Sequence, residues 1–220
     1  MCAKKLIHDT SHISYESLLK GNEEFIARSL ESDPDFFTKL ANGQTPPILW
    51  IGCADSRVPA NQITNTAPGE IFVHRNIANM VIHSDMNMLS VLDYAVNVLE
   101  VKHVIVTGHY GCGGVLAAMS NKQFGLIDNW LRHIKDVYRL YADELESIAD
   151  EQKRVDRLVE LNVIENAYNL CKTSIVQNAW ASGQELSVHG WVYSLQTGII
   201  SDMNVSATNN AKLDSVFRFK

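Results

Sequence analysis

The sequence predicts an α/β fold with a mostly parallel central sheet flanked by helices, on three observations. Two apolar runs, Ile48-Leu49-Trp50-Ile51 and Val104-Ile105-Val106-Thr107, each end in a glycine and then a metal-capable side chain, Gly52-Cys53 and Gly108-His109. Between them, apolar residues at 88, 92, 95, 96 and 99 follow the 3.6-residue period of a crossover helix. Strand, helix, strand favours parallel pairing, and open parallel sheets carry their chemistry at the C-terminal ends of their strands.

Taken in order, Ser14 caps a first amphipathic helix carrying Tyr15, Leu18, Leu19, Phe25, Ile26 and Leu30. Asp33 as N-cap and Pro34 at the first helical position start a second, which stops at Asn42-Gly43. The loop Gln44-Thr45-Pro46-Pro47 is extended by its prolines and leads into the first strand. Pro68-Gly69 turns into a short strand, Ile71-Phe72-Val73. Ser84 or Asp85 starts the crossover helix, and glycines 111, 113 and 114 open the helix after the second key strand. A further helix is expected from about Ile127 to Leu145, and a long one from Arg154 to Trp180, stopping at Ser182-Gly183. Leu186 to Tyr193 and Ile199 to Val205 read as closing strands. The chain reads as one domain over residues 1–220, with 1–43 a helical arm and 44–220 the α/β core.

If both key strands lie in one sheet, Cys53 meets His109 and Cys112, the last carried by the turn Tyr110-Gly111-Cys112-Gly113-Gly114. Two thiolates and an imidazole suit zinc, and three protein ligands leave the fourth tetrahedral position open, as catalytic zinc requires. Water held there loses its proton near pH 7 rather than about 9. Two thiolates, however, cancel the ion's charge and weaken that acidification, so the site needs a carboxylate to orient the water. Asp55 stands two residues from Cys53, and Arg57 two beyond it. In an extended segment all three point the same way, and Arg57 can fork onto Asp55 to keep it ionised and aimed. Released from Arg57, Asp55 could itself take the fourth position and shut the site.

Composition narrows the function classes. The net charge of -6, with acidic and basic residues interspersed, offers no basic stripe for phosphates, so no nucleic-acid partner is expected. Hydrophobic content is 46%, yet no apolar stretch nears the roughly 18 residues of a membrane span, so no membrane partner is expected either. Residues 1–9 hold two lysines but lack the long apolar segment of a signal peptide, making cytoplasm the expected location. Four widely spaced cysteines are too few for a disulfide framework and read as thiols.

The pair Cys53-Ala54-Asp55-Ser56-Arg57 and Gly108-His109-Tyr110-Gly111-Cys112-Gly113-Gly114 resembles the motifs of the β-class carbonic anhydrases. The similarity runs on through Pro68-Gly69-Glu70, His74-Arg75-Asn76 and His189-Gly190-Trp191, over roughly residues 36 to 208. The resemblance implies a lyase that interconverts carbon dioxide and bicarbonate, with one zinc per subunit held by Cys53, His109 and Cys112. It implies that Asp55 and Arg57 position the zinc-bound hydroxide nucleophile, and that Gln44 hydrogen-bonds substrate across a dimer interface. It also implies N-terminal helices that pack on a partner subunit, in a homodimer or a dimer of dimers. Trp50, Arg75 and Tyr193 match the regulatory bicarbonate pocket of a bacterial subgroup, in which bicarbonate and low pH favour the state with Asp55 in place of water. Spacing alone does not unite those three residues. Asp93, before Tyr94-Ala95, departs from the family's usual Glu or Gln but touches no ligand.

Other readings stand beside this one. The same zinc could hydrolyse carbonyl sulfide or carbon disulfide, could stabilise an interaction module with no turnover, or could give way to redox chemistry at Cys53 and Cys112. The glycine-rich turn could cradle a phosphate, but it lacks the Gly-Lys-Ser/Thr and Gly-x-Gly-x-x-Gly spacings. Cys171 reads as core and Cys2 as an exposed thiol, while His8, His12, His83, His103, His133 and His189 show no partner pattern. Trp130, Tyr138 and Tyr141, on one helical period, read as interface packing.

Overall fold

Both key runs are strands, and they pair in parallel. In this computed structural model, which describes residues 10–220, β1 (Ile48–Cys53) and β3 (His103–His109) are neighbours with Ile51 opposite Val106 and Gly52 opposite Thr107. β2 (Ile71–Asn76), β4 (Ser187–Tyr193) and β5 (Ile200–Asp202) complete a sheet of order β2-β1-β3-β4-β5. The first four strands are mutually parallel; only β5 is antiparallel, along β4. β1 and β3 are buried along nearly their whole length, as central parallel strands must be.

Residues up to Gly43 and residues from Gln44 form two compact units. The first carries α1 (Tyr15–Ser32) and α2 (Phe36–Ala41). Ser14 caps α1 with a reciprocal Ser14–Ser17 box, as expected, but no α1 side chain is buried. α2 begins at Phe36 rather than at Pro34. Asp33 spends its carboxylate on the Asp35 amide and the Lys39 ammonium, closing a turn before the helix starts.

The second unit holds α3 (Ala60–Thr64), α4 (Met86–Asn97), α5 (Gly113–Met119), α6 (Asp128–Leu140), α7 (Ala142–Ser147), α8 (Glu151–Lys172) and α9 (Ser174–Ala181). α4 is the crossover helix. Asp85 caps it, and Met88, Leu92, Ala95 and Val96 form its buried stripe. Two expected helices are broken. The run Ile127–Leu145 divides at Tyr141, whose backbone leaves the helical region while its hydroxyl reaches Glu165 at 2.6 Å. The run 154–180 divides at Thr173, which donates to Leu170 O and accepts from Val176 N, trading the helical ladder for a new cap.

One core joins Leu49, Ile51, Val104, Val106, Val188 and Val192 to the inner faces of α4, α5, α6, α8 and α9. α8 lies close over β3 and β4 because the strands offer glycines there. A Cβ on Gly108 would stand 2.6 Å from Val163 Cγ2, and one on Gly190 would stand 3.0 Å from Val163 Cγ1. Cys171 is core, 4% exposed. Trp130 and Tyr141 are half-buried: the indole N–H donates to Ile77 O at 2.8 Å, and Tyr141 bonds Glu165. Cys2 and His8 lie outside the described residues.

Candidate metal centre

Strand order alone brings the tips of β1 and β3 together, and with them Cys53 and His109. The chain then turns through Gly111, whose φ of 70° suits glycine, and Cys112 caps α5. One donor atom from each of Cys53, His109 and Cys112 lies within 4.8 Å of the others, and all three residues are buried. The sulfurs are 3.9 Å apart.

The imidazole is set for a cation. His109 Nδ1 lies 3.0 Å from Tyr110 O, and a carbonyl only accepts, so Nδ1 carries the proton and Nε2 the lone pair. His109 is 0% exposed, yet Nε2 has no hydrogen-bond partner. A buried imidazole nitrogen left without a partner beside two thiols is costly unless something electron-poor completes it. Zinc fits that demand, and the donor set is the one it prefers.

The sulfurs are tuned in opposite senses. Cys112 holds the Cys53 thiol down, against burial, and the backbone amides of Asp55 and Ala78 act the same way. The bond to the Cys53 thiolate, together with burial, holds the Cys112 thiol up; the amides of Val115 and Gly114 pull the other way. Cation binding at two such sulfurs releases their protons.

Asp55 and Arg57 form the expected fork. Arg57 Nε donates to Oδ1 at 2.9 Å and Nη2 to Oδ2 at 2.6 Å, while the Arg57 amide also donates to Oδ1. Arg57 holds the Asp55 carboxyl down, at about 2. Asp55 Oδ2 lies 3.7 Å from His109 Nε2, so the carboxylate borders the donor set.

The carbonic anhydrase family profile matches residues 48–200, most of the chain. The chain belongs to the β-class carbonic anhydrases. It is 48% identical over 192 residues to a carbonic anhydrase of Emericella nidulans, covering 87% of this chain and 84% of that one. A tetrameric β-carbonic anhydrase of Sordaria macrospora superposes with a TM-score of 0.84 at 40% identity, covering 88% of this chain and 98% of the other. The Coccomyxa β-carbonic anhydrase, solved with acetazolamide, gives 0.86 at 39% identity, with 89% of each chain covered. These relatives are fungal and algal rather than bacterial.

Within this β-class fold the other expected residues are less closely gathered. Gln44 is exposed. Trp50 is buried and meets Trp191 edge-on at 6.2 Å. The register sets Arg75 opposite Gly52 and Tyr193 opposite His109, so Trp50, Arg75 and Tyr193 share one sheet face. Among the described residues no hydrogen bond joins the three. Arg75 instead donates to Cys53 O at 2.8 Å and to Asp55 O, clamping the backbone that carries ligand and dyad.

Sequence reasoning missed the wall of the site. Ala78 and Asn79 form a buried left-handed turn, with φ of 63° and 49°, at a cost of about 1–3 kcal/mol each. The available signal was Asn162 and Asn166, amides on the apolar face of α8, with Asn169 one turn on.

Proposed function

We propose that this chain catalyses the reversible hydration of carbon dioxide to bicarbonate and a proton, with Cys53, His109 and Cys112 holding one zinc. The observation that carries this reading is the partnerless, fully buried His109 Nε2 facing two thiols. Zinc, when bound, supplies the positive charge that makes water nucleophilic near neutral pH. Asp55 accepts a hydrogen bond from the attacking water and aims its lone pair at the carbon. With its carboxyl held at about 2, Asp55 is too weak a base to keep the proton, so it orients and does not store. Arg57 keeps that carboxylate ionised and turned. The proton leaves to buffer. Gln44, exposed on its proline-containing loop, serves substrate across an interface with a second copy, in a homodimer or dimer of dimers. Among the described residues no helix is long and apolar enough to cross a membrane, and three free thiols accord with a cytoplasmic site.

The regulation of the bacterial, bicarbonate-inhibited subgroup belongs to the same reading. Bicarbonate bound by Trp50, Arg75 and Tyr193 draws the Arg75 guanidinium from Cys53 O and Asp55 O. The loosened Asp55 then leaves Arg57 and turns into the space before His109 Nε2, only 3.7 Å away, closing the site.

Stopped-flow hydration across pH, with zinc measured on the same sample, tests both parts. Stoichiometric zinc with buffer-dependent turnover is expected, with a steep loss on the acidic side that added bicarbonate deepens. Folded, metal-free protein with no turnover overturns the catalytic reading. Turnover indifferent to acid and bicarbonate overturns the regulatory one alone.

A further inference from the structure

The zinc ligands do not explain why a buried turn beside them is kept in a conformation that L-residues avoid. Ala78 and Asn79 stand consecutively in the left-handed region, and both are buried. An outlier of this kind persists only where its surroundings over-determine it.

The surroundings are amides. Asn162 Nδ2 on α8 donates to Ala78 O at 3.1 Å. One turn along, Asn166 Oδ1 accepts from Val81 N at 2.5 Å while its Nδ2 donates back to Asn162 O at 2.6 Å. At the next turn Asn169 Nδ2 donates to Val81 O at 3.3 Å. From the opposite side Asn76 grips Met80 through both backbone groups, accepting from its N at 2.7 Å and donating to its O at 2.8 Å. Four asparagines thus pair the polar backbone of an irregular segment sunk in a hydrophobic core.

The clasped turn shares one buried cluster with both sulfur ligands. The Ala78 backbone is among the groups that hold the Cys53 thiol down. On the other side the Ala78 methyl lies against Gly114: a Cβ placed on Gly114 would stand 3.3 Å from Ala78 Cβ and 3.9 Å from Cys112 Sγ.

We propose that Asn162, Asn166 and Asn169 are positioning residues of the metal centre: Asn162 at Ala78 O, and Asn166 and Asn169 at Val81, hold the segment 78–81 so that the Ala78 methyl backs the loop carrying Cys112. The proposal rests on the zinc reading given above. Its chemical use follows from the weakness of a two-thiolate site. Each N–H donated to a thiolate draws charge from sulfur and leaves more of the cation's charge unspent. Asparagine suits the task because its amide supplies donor and acceptor without a charge. Aspartate would set a second anion beside the thiolates.

The test is a mutant cycle on the zinc-loaded and cobalt-substituted full chain, using N162A, A78G and the double variant. A glycine at 78 adopts positive φ freely, so it keeps the turn with less need of the clasp, and its own loss of the methyl contact is the baseline from which the cycle is read. N162A is expected to fold, by circular dichroism, and to lose about 10–100-fold in zinc affinity by chelator competition. Its thiolate-to-cobalt absorption band should shift, and the A78G background should remove most of the affinity loss. A folded N162A with wild-type zinc affinity and an unmoved cobalt band, changed only in melting temperature, overturns the proposal. If N162A does not fold, N169A, which unties the outer end, is read in the same cycle with the same criteria. Zinc stoichiometry of the wild type is measured first. A wild type that binds none fails the metal reading itself, whereas a wild type that binds zinc beside indifferent variants fails only the clasp.

Discussion

At the scale of single residues, the dyad separates holding a metal from using it. Asp55 and Arg57 make two side-chain hydrogen bonds to each other, and neither belongs to the buried donor set. Asp55→Asn should keep zinc and fold while kcat/KM falls about 10²–10³-fold, the scale of losing one preorganised polar group. Arg57→Gln should fall about 10²-fold, because the carboxylate remains but loses its aim. Zinc analysis beside stopped-flow rates checks both, and zinc loss in step with rate would assign these residues to coordination instead. A second residue-scale effect lies at the other end of the sheet. His103 Nδ1 and His189 Nε2 are 3.1 Å apart, and His189 Nδ1 meets Ser206 Oγ at 2.7 Å. Burial, then the neighbouring His103, pushes His189 below the ordinary histidine value; Asp202 on β5 opposes them. A lowered folded value means the unfolded chain binds the extra proton first. Stability contributed by neutral His189 is therefore present above about pH 6.5 and is lost as pH falls below it. Melting temperature should decline through that window, and His189→Asn should flatten the decline; an unchanged slope would place its origin elsewhere.

At the scale of elements, the sheet fixes the site by bringing α8 close. Gly108 leaves only 2.6 Å between a hypothetical Cβ and Val163 Cγ2, with Asn79 Oδ1 at 3.3 Å. Gly108→Ala should cost about 1–3 kcal/mol by urea denaturation, as overpacked cores do. Its partner is a β-branched side chain fixed on a long helix, so the strain passes to His109, the next residue. Val163→Ala in the same chain should return part of the loss, a coupling that a double-mutant cycle resolves. Elements of this kind were legible where periodicity or punctuation marked them. Leu92, Ala95 and Val96 announced α4, and the glycines after Cys112 announced α5. Thr173 was not legible as a break, because its hydroxyl ends α8 by a bond to Leu170 O inside an unbroken apolar period. Cys53, His109 and Cys112 could be read because their spacing itself is the chemistry. The Ala78–Asn79 turn could not, since the amide that bonds Ala78 O comes from Asn162, far along the chain on α8. The hydrogen bonds of Arg75 to Cys53 O and Asp55 O were equally illegible, because they depend on strand register.

At the scale of the whole molecule, α1 raises the question of what covers it. Its 18 residues include no buried side chain, and Tyr15, Leu18, Leu19, Phe25, Ile26 and Leu30 are all exposed. These residues recur at helical spacing and form a stripe, and in proteins most of a helix's stability comes from packing such an apolar face. The proposed function, with Gln44 serving a second copy, predicts that this copy covers α1; the Sordaria relative is itself tetrameric. Leu18→Glu combined with Ile26→Glu puts two charges two turns apart on that stripe, where burial would leave them unpaired. The wild type should show an oligomeric mass by light scattering and a melting temperature that rises with protein concentration. The double variant should drop to the monomer mass, lose the concentration dependence, keep its zinc and lose turnover, because Gln44 would then have no second site to serve. A variant of wild-type mass would remove α1 from the interface. A fully active monomer would free catalysis from the partner and return Gln44 to the loop as an ordinary exposed side chain.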